Sequence, residues 1–76
     1  MKVYVRISGQ VQGVGFRYAV RGKMNELGIV GWAENLPDGR VEAEFEGEKD
    51  RIDKMLEWCK EGPPLAQVNK VEVERK

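Results

Sequence analysis

The residues that could do chemistry gather in one short run, Gly9-Gln10-Val11-Gln12-Gly13-Val14-Gly15-Phe16-Arg17. Glycines at 9, 13 and 15 admit backbone conformations closed to other residues, so several amide N–H groups can converge with no side chain between them. A helical periodicity begins directly after the run, so those amides and the partial positive charge of a helix N-terminus face one point. Arg17, in the first turn of that helix, can reach back over the concavity. A guanidinium there grips a tetrahedral oxyanion through two parallel hydrogen bonds. From these residues alone the run reads as a phosphate or sulfate cradle. It fits neither the dinucleotide fingerprint, since position 18 is Tyr18 rather than glycine, nor the P-loop, which requires a Lys followed by Ser or Thr. A plainer reading is a glycine-rich strand-to-helix turn beside a surface arginine, and an isolated glycine motif does not separate the two.

The elements that must position this run follow from periodicity. Val3, Val5 and Ile7 alternate with Lys2, Tyr4, Arg6 and Ser8, which predicts a half-buried strand ahead of the loop. Phe16, Val20, Met24 and Leu27 then recur at three- and four-residue spacing, and Gly28 caps a predicted helix. Gly22 within it costs about 1 kcal/mol relative to alanine. A second strand is expected over Ile29–Asn35, with a tight turn at Leu36-Pro37-Asp38-Gly39-Arg40. Val41, Ala43 and Phe45 alternate with Glu42, Glu44 and Glu46, completing a hairpin. Ile52, Met55, Leu56 and Cys59 form the stripe of a second helix, stopped by Gly62-Pro63-Pro64. In the last strand Val71 and Val73 are expected to point inward. Val68 is out of phase with them, so the strand either begins after it or is bulged. The order β-α-β-β-α-β, with right-handed crossovers, predicts an α+β ferredoxin-like sandwich over residues 1–76: one domain, two helices on one face of a four-stranded antiparallel sheet.

Composition limits the partners and the chemistry. Among 76 residues, 13 Lys or Arg balance 13 Asp or Glu, leaving zero formal charge, which argues against a duplex nucleic-acid binder. There is no histidine, so imidazole general-base catalysis and His-ligated metals are excluded. The lone Cys59 can form neither an internal disulfide nor a zinc cluster; it sits on the apolar stripe of the second helix and reads as a core residue. No apolar run is long enough for a membrane span and no signal peptide is visible, so a cytoplasmic protein is expected. Trp32 and Trp58 are read as packing residues, and the glutamates at 42, 44, 46 and 48 as a solvated strand face rather than a metal patch. The excess of Glu, Lys and Arg over amides matches thermophile composition.

The Gly9–Arg17 run closely resembles the acylphosphatase signature, glycine-x-valine-glutamine-glycine-valine-x-phenylalanine-arginine. Gly28-Ile29-Val30-Gly31-Trp32-Ala33-Glu34-Asn35 is similar to that family's second motif, followed by its usual Leu36-Pro37-Asp38-Gly39 turn. Glu61-Gly62-Pro63-Pro64 and Val68–Val73 resemble later segments, so the likeness spans the chain. The resemblance implies metal-independent hydrolysis of the carboxyl–phosphate bond of small acyl phosphates, with no cofactor. It makes Gly9, Gln10, Val11, Gln12, Gly13, Val14, Gly15 and Arg17 the phosphate-binding loop, able to hold a phosphate or sulfate ion. It makes Arg17 and Asn35 the catalytic pair, Asn35 positioning the attacking water. Without the resemblance, Asn35 reads as a turn-initiating amide.

Acylphosphatases usually continue into a further strand beside the second. Here the pattern stops at Lys76, so that strand is expected to be missing, leaving Arg17 less firmly held and the second strand's edge open. A monomer or an edge-strand dimer is therefore expected. The alternative function is a catalytically impaired anion-binding domain of the same fold. A module of a larger carbamoyl-transfer maturation protein is less favoured, given the start at Met1 and the lack of a metal-binding extension. RNA binding is disfavoured by the lack of paired exposed aromatics on the central strands and by the zero net charge.

Overall fold

A computed structural model describes residues 1–76. Six elements follow in the expected order: β1 Lys2–Gln10, α1 Phe16–Leu27, β2 Val30–Asn35, β3 Val41–Glu46, α2 Lys49–Glu61 and β4 Gln67–Arg75. The sheet order is β2-β3-β1-β4, all pairs antiparallel. Each helix therefore leaves one strand and returns the chain to another, and both cover the same face.

That face holds the core. Val3, Val5 and Ile7 of β1 lie opposite Phe45, Ala43 and Val41 of β3, and all six are fully buried. Phe16, Val20 and Met24 of α1 and Ile52, Met55 and Cys59 of α2 close over them. The alternating residues sit on the open face, where Lys2 pairs across to Glu46 and Arg6 to Glu42 and Glu72. Opposite charges in cross-strand register stabilise a sheet face that no helix covers. Glu44 sits between Lys76 (2.7 Å) and Lys2 (3.6 Å). Its carboxyl is held below the usual range by the Lys76 hydrogen bond, so the glutamate row is a solvated, ion-paired face. Trp58 packs on Phe16 with ring centroids 5.8 Å apart, whereas Trp32 lies on the open face, 39% exposed, its indole N–H donating to Glu44.

Two boundaries differ from the sequence expectation: β2 begins at Val30 rather than Ile29, and β1 continues into the expected loop. β1 runs on through Gly9 and Gln10, which pair with Val68 and Gln67 of β4. The register shifts between Ser8 and Gly9, where one step along β1 meets two along β4, from Lys70 to Val68, so β4 is bulged at Asn69, the second of the two outcomes expected for Val68. Val73 shares the helix-side face but is 43% exposed, because β4 is an edge strand and α2 covers only part of it. β2 is the other edge; its outer side pairs with no strand. No helix is long and apolar enough to cross a membrane.

Candidate active site

The end of β1, the start of α1 and the end of β2 meet at one corner of the molecule. Between β1 and α1, only Gly13 and Gly15 have positive φ, 74° and 77°, while the intervening residues do not. Left-handed glycines at alternate positions free the amides of a loop to turn toward a common centre, an arrangement that can bind anions. A β-carbon at either glycine would meet nothing within 4 Å; these positions demand glycine for their conformation, and the space above them is open.

Gly15 is also the N-cap of α1, in the left-handed region and with no side-chain cap. The Gly15 carbonyl accepts from the Ala19 amide at 3.0 Å, which starts the helix. The first-turn amides before Ala19 have no carbonyl within the helix to donate to, and no acidic residue occupies that turn. A helix opened by a bare glycine, without a carboxylate to neutralise it, presents its amides and its dipole to an external anion.

Arg17 lies in that first turn. It is exposed and takes part in none of the ion pairs of the protein. Asn35, the last residue of β2, is exposed beside it. A hollow of about 190 Å³ is lined by Val11, Gly13, Gly15, Phe16, Arg17, Tyr18 and Asn35. The two residues expected to act together, 18 positions apart, thus face one cavity.

Of the expected loop, Val11, Gly13, Gly15 and Arg17 line this hollow, and Val14 lies in the connecting turn without lining it. Gly9 and Gln10 belong to β1 instead. A β-carbon on Gly9, whose φ is 129°, would stand 2.1 Å from the Gln67 carbonyl oxygen, so this glycine serves the close approach of β4. Gln12 turns its side chain away from the hollow: its amide nitrogen donates to the carbonyls of Leu36 (2.8 Å) and Arg40 (2.9 Å). Tyr18, 83% exposed on the rim, was not singled out from the sequence. Its place one residue after Arg17, off the apolar stripe, was the available signal.

Arg17 also borders a larger groove of about 460 Å³ between α1 and β2, lined in part by Arg21, Met24, Ile29 and Trp32. Neither Gly13, Gly15 nor Asn35 lines this groove; all three line the smaller hollow. No three His, Cys, Asp or Glu side chains come together to hold a metal ion. Cys59 is fully buried, and burial pushes its thiol up to about 12, which removes it as a nucleophile.

The acylphosphatase family model matches residues 3–76. An acylphosphatase of Acaryochloris marina is 62% identical over 68 residues, covering 90% of this chain and 73% of the relative. The crystal structure of acylphosphatase from Bacillus subtilis superposes with a TM-score of 0.93 at 36% identity, covering 96% of this chain and 81% of that one. An acylphosphatase structure from Coxiella burnetii gives the same TM-score at 48% identity, covering 96% and 77%.

Proposed function

The chain belongs to the acylphosphatase family, and from that premise we propose that its glycine cradle and Arg17 hold the phosphoryl group while Asn35 holds the attacking water. The protein is an acylphosphatase, a hydrolase of the carboxyl–phosphate bond of small acyl phosphates. The observation that carries the assignment of roles is the shared hollow, in which Gly13, Gly15, Arg17 and Asn35 face one space.

The water oxygen attacks phosphorus in line with the acyl oxygen. The bond from phosphorus to that oxygen breaks, and the carboxylate leaves with the electron pair. Its conjugate acid has a pKa of about 4, so it departs without a general acid. The water's proton passes to a phosphoryl oxygen, and the neutral Asn35 amide orients the water without acting as a base. Phosphoryl transfer of this kind depends on positioning and on stabilising charge over the equatorial oxygens. Converging amides and an unpaired guanidinium supply both. A chain without histidine is therefore chemically sufficient.

The test is hydrolysis of benzoyl phosphate in EDTA by the parent, Arg17→Ala and Asn35→Ala. Parent turnover should survive chelation and fall by about 100-fold or more in each variant, the scale of losing one preorganised group that stabilises or positions the reacting atoms. Parent-like turnover in either variant would remove that residue from the site.

A further inference from the structure

We propose that Gln12 is a positioning residue for the reaction, a clamp that fixes the distance between the phosphate cradle and the residue that holds the water. The proposal rests on the reading of Asn35 given above. Gln12 lies in the cradle loop directly before Gly13, yet neither of its amide hydrogens faces the hollow. One goes to the Leu36 carbonyl at 2.8 Å and the other to the Arg40 carbonyl at 2.9 Å. Those carbonyls flank the β2–β3 turn, which is itself closed by the Leu36 amide donating to the Arg40 carbonyl at 2.8 Å and the Gly39 amide to the Leu36 carbonyl at 3.2 Å. Arg40 braces the far end, its backbone and side chain both donating to Asp38.

The mouth of the hairpin is thus a small rigid frame, and Asn35 is the residue immediately before it. Gln12 alone spans from the cradle to that frame with side-chain hydrogen bonds, bridging sequence separations of 24 and 28 residues. The primary amide suits the task because a single nitrogen carries two donors, one for each carbonyl. Without the clamp no side-chain hydrogen bond joins the hairpin mouth to the cradle, and Asn35 can drift against Arg17. Misplacement by about 1 Å is enough to cost about 100-fold in rate.

The experiment is a double-mutant cycle on benzoyl phosphate hydrolysis, with competitive inhibition by inorganic phosphate measured in every variant. Gln12→Ala should lower kcat by about 10- to 100-fold while the phosphate inhibition constant stays within about twofold. Adding Gln12→Ala to Asn35→Ala should lower kcat no further, because the clamp acts through Asn35. Gln12→Glu preserves the shape of the side chain but loses both donors when ionised. Its kcat should recover in part as acidification protonates the carboxyl and restores one donor, a rise absent from the parent. Phosphate inhibition weakening in step with turnover would place Gln12 in the cradle and overturn the proposal, as would multiplicative losses in the double variant. Full turnover in Gln12→Ala beside a crippled Asn35→Ala would overturn the clamp alone, whereas full turnover in Asn35→Ala would overturn the water assignment on which it rests.

Discussion

In the proposed site Arg17 is free for a phosphoryl dianion, because it is in none of the protein's ion pairs and because the turn that carries it begins with a bare glycine. The same logic of surroundings makes the other reactive side chain inert. Cys59 sits with Ile52 and Met55 under the sheet, fully buried, and its raised thiol pKa follows from desolvation of the thiolate. Native protein should therefore fail to react with Ellman's reagent at mildly alkaline pH and should react fully once unfolded in guanidinium; prompt reaction of the native state would contradict the burial. At this scale the sequence singles out Arg17, Gly13 and Gly15 as candidates, because their types and spacing are local. It could not disclose that Gly9 serves β4 or that Gln12 serves the hairpin, since both contacts join residues far apart in the chain.

The elements take their form from patterns that survive without tertiary help. The apolar stripe of α1 ends at Gly28, which adopts φ 68° and receives the helix with its amide directed to the Asn25 and Met24 carbonyls. α2 carries Asp50 in its first turn and Lys60 in its last, each favourable to the helix dipole. Gly22 is the exception: it is exposed, it has ordinary helical φ, and a β-carbon there would meet nothing within 4 Å. Gly22→Ala should stabilise the protein by about 1 kcal/mol, raising the thermal midpoint by roughly 4–8 °C for a domain of this size, with turnover unchanged. A lower midpoint would mean that the position has a packing role. Strand ends were less legible than helix ends. The extension of β1 through Gly9 and Gln10 depends on β4 arriving beside it at a bulge, and no alternation in residues 9–10 announces that pairing.

The whole molecule carries no net charge, and its open sheet face spends its lysines, arginines and glutamates on one another. Under the proposed function, attraction for an acyl phosphate arises locally, at the corner where β1, α1 and β2 meet and Arg17 lines the hollow. The fold class was readable because six amphipathic segments in this order admit few topologies. The shared hollow was readable only in outline, since Arg17 and Asn35 are brought together by the sheet rather than by adjacency. The proposed function turns on a division of labour between them, phosphate binding by Arg17 and water positioning by Asn35. It is tested most directly by the inhibition constant of inorganic phosphate in the two variants. Arg17→Ala should weaken phosphate binding by about 10- to 100-fold, the loss of charge-assisted hydrogen bonds. Asn35→Ala should leave it within about twofold while losing turnover. Phosphate that inhibits Arg17→Ala as strongly as the parent would contradict the cradle itself.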